Sequence, residues 1–205
     1  MTQNAPAARR PTQSERTART RSALLSAARE LFAERGFAAT GRDDIAARAG
    51  VTRGALYHHF DSKQDIAVAV VKALDEELTR RVVAAARSGR TAYEQLRRSC
   101  RAYIDACAEP DVARIFADAP AVLGPQETRS LNASSCAALL EPTLAAVEAE
   151  GRQVPGDRAT AAILILGMLN EGAGMVAAAA DRAVARRKVS ATVDVFLARL
   201  LPEAQ

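Results

Sequence analysis

Residues 52–60, TRGALYHHF, contain the side chains of this chain that are best suited to chemistry. If they form a helix, Leu56 and Phe60 lie four positions apart and can pack against other helices. Arg53 and Tyr57, also four positions apart, then share the opposite face. A guanidinium and a phenol placed there can donate hydrogen bonds to base edges or phosphate oxygens. The pattern therefore predicts a helix that is anchored from behind and enters a DNA groove.

Neighbouring residues extend this candidate contact surface. Thr52 and Tyr57 can donate hydrogen bonds to phosphate oxygens, and Gly54 would let the backbone come close to DNA. His58 lies four positions after Gly54 on the same face, and Lys63 is placed for a phosphate just beyond the next turn. These positions predict contacts to both bases and backbone.

The two adjacent histidines, His58 and His59, raise the alternative of a metal site. They are the only histidines of the chain, and the three cysteines, at positions 100, 107 and 136, have no metal-ligand spacing. We therefore predict neither a metal site nor a cofactor. The sequence also has no nucleophile–base pair, carboxylate pair or phosphate-binding loop at a spacing typical of catalysis. An all-helical enzyme is thus the less favoured alternative, and we predict no catalytic residues.

Helices flank the segment on both sides, because apolar residues recur with a 3.6-residue period along the chain. A first helix is expected from about residue 20 to residue 35, and a second begins at residue 40 or 41. Gly50 then supplies a sharp turn, and Thr52 caps the third helix. Residues 62–65 form a capping box for a long fourth helix that reaches about residue 86.

Five more helices complete the predicted fold. They are expected at about residues 91–108, from Pro110 to before Pro120, from Gly124-Pro125 with a bend at Pro142, at about 157–180 and at about 189–201. No segment alternates with a sustained period of two, so the sequence predicts an all-α fold of about nine helices. We divide the chain into a flexible basic arm (residues 1–18), a helix-turn-helix head (19–65) and a helical body (66–205).

Positive charge is concentrated at the N-terminal end of the chain. Residues 1–60 contain ten Arg and five acidic residues, a surplus of five positive charges, whereas the whole chain has a formal charge of +4. The remaining residues therefore carry one net negative charge. This distribution is expected if only the N-terminal end meets phosphate, and a solvated basic surface is the alternative.

These elements together resemble the tetracycline-repressor (TetR) family of transcriptional regulators. The resemblance covers residues 20–72 and is carried, in order, by ALLSAARELFAERGF, T-x-x-x-D-I-A, AGVTRGALYHHF and D-S-K. It implies an all-helical homodimer whose third helix enters the major groove of double-stranded operator DNA. It also implies that the body forms the dimer and binds a small-molecule effector.

The resemblance further implies which residues contact DNA. The family's contacts correspond here to Thr40, Arg42, Thr52, Arg53, Gly54, Tyr57, His58 and Lys63, with Thr40 capping the second helix against a phosphate. Arg42 departs from the family pattern, because relatives often have an apolar residue at this position. Gly41 likewise stands where a hydroxyl residue is common. The arginines of the basic arm would add minor-groove or phosphate contacts.

In the body, the resemblance places a pocket among the fourth to eighth helices. The candidate lining residues are Tyr103, Phe116, Asn170, Glu171 and Met175. Asn170 and Glu171 interrupt the apolar stretch Ala159–Ala180, so they need polar partners in the pocket or across an interface. This stretch could span a bilayer by length, but placing Glu and Asn in lipid is costly, and we predict no membrane contact.

The eighth and ninth helices, rich in Ala and Gly, are expected to pair with their copies as a four-helix bundle.

The sequence thus predicts a cytoplasmic repressor that binds a palindromic operator as a homodimer and is released by a small molecule. The odd number of cysteines favours a reducing compartment over a disulfide framework. The first dozen residues are not a secretory signal, although their Arg-rich, acid-poor composition also resembles a transit peptide. An alternative keeps the fold but senses oxidants through Cys100 and Cys107, which lie seven positions apart on one helix face.

Overall fold

Helices dominate the part of the chain that the structure describes. This computed structural model describes residues 12–124, 127 and 136–204, and the β-pairing found among them is one isolated bridge between Arg152 and Glu203. The nine described helices are α1 (Gln13–Arg35), α2 (Arg42–Arg48), α3 (Arg53–His59), α4 (Lys63–Ala86), α5 (Ala92–Cys107), α6 (Pro110–Leu123), α7 (Cys136–Ala149), α8 (Arg158–Ala178) and α9 (Arg182–Leu200). The predicted all-α fold is confirmed.

A capping box sets the beginning of α1. The Thr12 side chain accepts a hydrogen bond from the Glu15 N–H at 3.2 Å, and the Thr12 N–H donates to the Glu15 carboxylate at 2.6 Å. Residues 13–18, which the sequence analysis placed in a flexible arm, are therefore the first turns of α1. Residues 1–11 of that arm lie outside the described residues.

The predicted caps of α3 and α4 are confirmed. The Thr52 hydroxyl accepts a hydrogen bond from the Ala55 N–H at 3.2 Å, and the Ser62 hydroxyl accepts one from the Asp65 N–H at 3.0 Å. Before α3, Gly50 has a φ of +67°, a left-handed conformation that favours glycine. This turn sets the angle between α2 and α3, so it determines which face of α3 is exposed.

Two hydrophobic clusters hold the helices together. The head cluster is centred on buried residues of α1 to α4 and also includes residues of α6; among its members are Leu24, Leu31, Ile45, Leu56, Ile66 and Ile115. The body cluster joins α4, α5, α7, α8 and α9. Helix α4 contributes buried residues to both clusters. It therefore packs against the head and also forms part of the body's core.

Besides α1, two helices differ from their predicted bounds. Helix α6 continues through Pro120 to Leu123, although proline has no N–H to donate, and the Gly124 N–H closes the last turn on the Pro120 carbonyl at 3.0 Å. Helix α9 begins at Arg182, because the Asp181 carboxylate accepts a hydrogen bond from the Val184 N–H at 2.9 Å and caps its polar first turns.

The predicted seventh helix is covered only in part. Its expected start at Gly124-Pro125 falls at the edge of the described range, with Pro125 outside it. The described helix α7 contains Pro142, the position of the expected bend.

Helix α8 is long and apolar enough to cross a membrane, judged by length and composition alone and among the described residues only. In the fold, one side of α8 packs into the body cluster through Ile165, Leu169 and Val176. Ile163 and Leu164 are exposed on another side. The helix is therefore part of the body's core and also presents an uncovered apolar side.

Candidate DNA-binding interface and body cavity

Helix α3 divides its side chains between the head cluster and the surface. Leu56 and Phe60 are buried members of the head cluster. The exposed residues are Thr52, Arg53, Gly54, Tyr57 and His58. The helix therefore presents hydroxyl, guanidinium, phenol and imidazole groups on a surface that two apolar side chains anchor from behind.

Arg42 reaches the same surface from α2. Its guanidinium carbon lies 4.4 Å from the centroid of the Tyr57 ring, and its Nη1 donates a hydrogen bond to the Asp61 carbonyl at 2.9 Å. Arg42 thus connects α2 with α3 and with the turn before α4. It adds a second guanidinium to the surface that carries Arg53.

Arg53 is paired with an acidic residue of α2. Its Nη2 lies 2.7 Å from Oδ2 of Asp43, and the two side chains are 71% and 53% exposed. The pair therefore lies on the surface rather than in the head cluster. Sequence analysis did not connect these residues, because the turn at Gly50 that brings α2 and α3 together has to be known first.

Thr40 does not face the surface. Thr40 is only 1% exposed. Its hydroxyl donates a hydrogen bond to the Gly36 carbonyl at 2.8 Å, and the Leu31 carbonyl is a second acceptor at 3.3 Å. The N-cap of α2 is Gly41 rather than Thr40. The prediction that Thr40 contacts a phosphate is therefore wrong, because the residue is buried. Its hydroxyl instead stabilises the loop between α1 and α2.

Lys63 is also engaged inside the head. Its Nζ donates to the carbonyl oxygens of Phe37 at 2.9 Å and Thr40 at 3.0 Å, and it lies 4.3 Å from the centroid of the Phe37 ring. These contacts use the ammonium that was predicted to bind a phosphate. In this structure Lys63 therefore ties the start of α4 to the loop that follows α1.

Arg48 fixes α2 against α1, a role that sequence analysis missed. Its guanidinium contacts the carboxylates of Glu30 at 3.1 Å and Glu34 at 3.0 Å. The hydrogen bonds from Arg48 lower the pKa of Glu34. No local spacing indicates this pairing, because the partners lie on separate helices.

A cavity of about 500 Å³ lies between α4, α5, α6 and α8. This volume is within the range of small-molecule sites in proteins. Most of its described walls are apolar and include Val71, Leu78, Phe116, Leu123, Ala173 and Ala177. Three predicted ligand-binding residues, Tyr103, Phe116 and Asn170, line the cavity.

A polar pair interrupts the apolar wall of this cavity. The Tyr103 hydroxyl donates a hydrogen bond to Oδ1 of Asn170, which joins α5 to α8. Asp75 and Cys107 also belong to the described wall. The cavity therefore combines a mostly hydrophobic wall with two polar features, the Tyr103–Asn170 pair and the Asp75 carboxylate.

The remaining predicted ligand-binding residues, Glu171 and Met175, lie elsewhere. Neither is among the residues that line the cavity, and both are exposed, Met175 to 58%. Successive residues of an α-helix are turned by about 100°, so Asn170 and Ala173 can face the cavity while Glu171 and Met175 face away from it. Both residues are therefore corrected to the outer side of α8.

Helix α6 connects the cavity to the head. Phe116 and Pro120 of this helix line the cavity. On another side, the Asp118 carboxylate accepts a hydrogen bond from the Phe37 N–H at 3.0 Å, and Arg114 donates to the Glu34 carbonyl at 3.3 Å. A displacement of α6 by a bound molecule would therefore act directly on the end of α1.

A second polar connection joins the head to the body. Arg29 of α1 contacts Glu77 of α4 at 2.7 Å and Asp111 of α6 at 2.9 Å. The hydrogen bond from Arg29 lowers the pKa of the Glu77 carboxyl. Three helices that belong to different parts of the chain thus share one guanidinium.

Two family models match the sequence, one over the head and one over the body. The model for "Bacterial regulatory proteins, tetR family" matches residues 24–70, which contain α2 and α3. The model for "Tetracyclin repressor-like, C-terminal domain" matches residues 93–200, more than half of the 205-residue chain. The chain belongs to the TetR family of transcriptional regulators. It is a DNA-binding regulator, and the proteins it resembles are regulators rather than enzymes.

Curated relatives match part of the chain. It is 40% identical over 85 residues to the HTH-type transcriptional activator FasR of Mycolicibacterium smegmatis, which covers 42% of this chain and 39% of FasR. It is 40% identical over 89 residues to the HTH-type transcriptional repressor KstR2 of Rhodococcus jostii, which covers 42% of this chain and 44% of KstR2. The match thus spans about two-fifths of the length of these curated relatives.

Solved structures of TetR-family proteins match nearly the whole chain. A TetR-family transcriptional regulator from Pectobacterium atrosepticum has a TM-score of 0.77 and 34% identity, and the match covers 95% of this chain and 100% of that one. A structure from Mesorhizobium loti has a TM-score of 0.72 and 21% identity, and the match covers 90% and 98% of the two chains. The second similarity shows the fold alone.

Proposed function

We propose that this TetR-family chain is a ligand-responsive repressor that binds a palindromic operator as a homodimer. A small molecule bound in the body would release it from DNA. The observation that carries this proposal is the exposed polar face of α3, which Leu56 and Phe60 anchor in the head cluster. Two copies would place two such helices in major grooves about 34–36 Å apart, or a multiple of that distance. The cytoplasm is the compartment in which such a regulator meets its operator.

The residues of this face have different proposed roles. Arg53 and Arg42 would contact base edges, where a guanidinium can bond to guanine O6 and N7. Thr52, Tyr57 and His58 would donate hydrogen bonds to phosphate oxygens. These contacts would fix both the position and the sequence preference of α3 on the operator.

Gly54 supports this orientation of α3 toward DNA. A Cβ atom added to Gly54 would meet one neighbouring heavy atom within 4 Å in the described structure, Thr52 Oγ1 at 3.9 Å. The packing of the protein therefore leaves room for a larger residue. Close approach of the helix backbone to DNA gives a reason for glycine at this position.

The outer sides of α8 and α9 support the proposed homodimer. Ile163 and Leu164 of α8 are 68% and 67% exposed, and Val195 and Phe196 of α9 are 57% and 55% exposed. Large apolar side chains grouped on a surface mark an interaction site, and pairing with a second copy would cover them. Two helices from each protomer would then form a four-helix bundle.

The position of the cavity supports a response to a ligand. Helix α4 lines it through Val71 and Leu78 and also carries the head, and α6 lines it while bonded to the loop after α1. A molecule that binds more tightly to one orientation of these helices would shift the population toward that orientation. Tilting α4 would change the spacing of the two heads and lower the affinity for the operator.

The walls of the cavity favour one kind of effector. Most of the described lining is aliphatic or aromatic, and the Tyr103–Asn170 pair supplies one hydrogen-bonding corner. We infer a small, largely apolar molecule with a polar group that bonds to this corner. Asn170→Ala should weaken the binding of this molecule to the protein, as measured by calorimetry. The same variant should change the affinity for DNA less.

Repression is the proposed sign of regulation. A dimer bound at an operator that overlaps a promoter would exclude RNA polymerase. The named relatives include both an activator and a repressor. A transcription reporter driven by the bound promoter tests the sign, since repression requires higher output when the chain is deleted.

The proposed DNA contact is tested by footprinting the DNA upstream of the chain's own reading frame, followed by titration of the protected fragment. Arg53→Ala should weaken operator binding by about tenfold or more, because one bidentate base contact is lost. Arg98→Ala removes the same charge from an exposed position of α5 and should leave binding unchanged. Wild-type affinity of Arg53→Ala would show that α3 is not the recognition helix.

A further inference from the structure

We propose that Asp43 is a specificity-determining residue, which directs the Arg53 guanidinium toward a guanine edge and away from phosphates. This inference rests on the proposed role of Arg53 in DNA contact. It assigns a function to an acidic residue on a surface whose other proposed contacts are basic or neutral.

The observation behind this inference is the ion pair between Arg53 Nη2 and Asp43 Oδ2, at 2.7 Å. Both side chains are more than half exposed, so the pair lies where DNA would approach. An exposed ion pair adds little to folding stability. The geometry therefore gives Asp43 more influence on the partner of Arg53 than on the fold of the head.

The other guanidinium of this surface is held differently. Arg42 lies against the Tyr57 ring and donates to the Asp61 carbonyl, both of which are uncharged groups. Arg42 is therefore held through uncharged groups, whereas Arg53 is held by a carboxylate. The two arginines should therefore respond differently to an approaching phosphate.

A carboxylate beside Arg53 distinguishes the two classes of DNA acceptor. A phosphate that contacts Arg53 carries a full negative charge and must come close to Asp43, so repulsion offsets part of the attraction. Guanine O6 and N7 are uncharged acceptors and meet little of this repulsion. The guanidinium has five N–H donors, so it can remain bonded to Asp43 while it binds a base. Salt screens the repulsion beyond about 8 Å, so the effect is confined to the phosphates nearest to Arg53.

Asp43 also restricts the conformations of Arg53 before DNA binds. A free arginine side chain loses rotamer freedom when it is immobilised in an interface. A guanidinium already held by a carboxylate loses less. The expected consequence is a high ratio of operator affinity to non-specific affinity, at some loss of total attraction to DNA.

The test compares Asp43→Asn with the wild type on two duplexes: the footprinted upstream fragment and a scrambled fragment of equal length and composition. Asp43→Asn keeps the size of the side chain but removes its charge. The affinity for the scrambled duplex should rise by about three- to tenfold, with a steeper dependence on salt, because one more phosphate is neutralised. The affinity for the operator should rise by less than half as much, so the ratio of the two affinities should fall more than twofold.

Asp61→Asn is the matched control. It removes the same charge from an exposed residue of the turn before α4, whose carbonyl bonds to Arg42. It should change both affinities by the same factor and leave their ratio unchanged. A second variant, Asp43→Glu, keeps the charge and should keep the ratio within twofold of the wild type. Thermal unfolding of each variant checks that the head remains folded.

The outcomes separate this inference from the proposed function. A lower ratio for Asp43→Asn, with unchanged ratios for Asp61→Asn and Asp43→Glu, supports the role of Asp43. An unchanged ratio for Asp43→Asn, or an equal fall for Asp61→Asn, overturns it. If Arg53→Ala binds the operator normally, the proposed function fails first. If Arg53→Ala weakens binding while Asp43→Asn keeps the ratio, only the role of Asp43 is lost.

Discussion

Gly54 is a residue at which stability and the proposed DNA contact favour different side chains. Glycine in a helix costs about 0.5–1 kcal/mol relative to alanine. Because a Cβ at this position has room in the head, Gly54→Ala should raise the free energy of unfolding by about this amount. The added methyl group would separate α3 from DNA, so the same variant should bind the operator less tightly. Urea unfolding and operator titration measure the two effects.

Gly50 provides the contrasting substitution. Its φ of +67° is strained for any residue with a Cβ, so Gly50→Ala should lower the free energy of unfolding by about 1 kcal/mol or more. The same chemical change thus has opposite effects on stability at two nearby positions. If Gly54→Ala both stabilises the head and binds the operator as well as the wild type, close approach at Gly54 is excluded.

Cys100 bears on the oxidant-sensing alternative. Burial raises the pKa of its thiol to about 12 from an ordinary value of 9.0. The thiolate is the reactive form, so iodoacetamide at pH 8 should modify Cys100 only in unfolded protein, as measured by mass spectrometry. The stability that comes from the raised pKa is fully present below pH 9.0 and is lost as the pH rises toward 12. Rapid modification in the folded state would favour the oxidant alternative.

Residue-scale prediction worked for α3 and failed where partners are distant in sequence. The inward Leu56 and the outward Arg53 follow from helical period alone. Lys63 instead bonds to carbonyl groups 23 to 26 positions earlier, so its position depends on the finished head. Glu171 and Met175 lie on a helix whose apolar residues are spread around its whole circumference, so their period does not indicate which side faces the cavity.

At the scale of elements, α6 is the helix that can transmit occupancy of the cavity. The Asp118 carboxylate accepts the Phe37 N–H at 3.0 Å, and the same helix lines the cavity through Phe116. Asp118→Ala removes this connection and leaves the cavity wall in place. The change in DNA affinity at saturating ligand should therefore shrink by about two- to thirtyfold, which corresponds to a coupling of about 0.5–2 kcal/mol. Operator titrations with and without a ligand found by screening measure it.

A control variant tests whether the expected loss of ligand-induced release is specific to α6. Asp105 of α5 is a carboxylate that also joins two helices, through an ion pair with Arg186 of α9 at 3.5 Å, but both helices belong to the body. Asp105→Ala should leave ligand-induced release unchanged. The role of α6 is refuted if Asp118→Ala retains full release, or if both variants lose it equally.

Element bounds could be predicted where the signal is local. The caps at Thr52 and Ser62 lie beside the helices they begin, and the bounds of α3 and α4 agree with the prediction. The start of α1 was missed because its first turns have no apolar stripe, although Thr12 and Glu15 have the spacing of a capping box. The extension of α6 through Pro120 could not be predicted, because tertiary packing there outweighs one lost hydrogen bond.

At the scale of the whole molecule, one hydrophobic cluster stabilises the head and the other stabilises the body. The head cluster fixes α3, and the body cluster lies between α4, α5, α7, α8 and α9. The uncovered apolar sides of α8 and α9 lie outside both clusters. A surface of this kind is costly to leave in water, so it gives the monomer a reason to pair.

Leu164→Glu tests this pairing, because Leu164 is 67% exposed in a single chain and would be buried in the proposed dimer. The substitution should not affect folding, but it would bury two additional carboxylates in an apolar four-helix interface. Sedimentation should then show a monomer, and operator affinity should fall by about a hundredfold or more, because two linked heads bind far more tightly than one. Arg98→Glu places the same side chain on α5 and should leave the dimer intact. A dimeric Leu164→Glu protein with normal operator affinity would show that α8 does not form the interface.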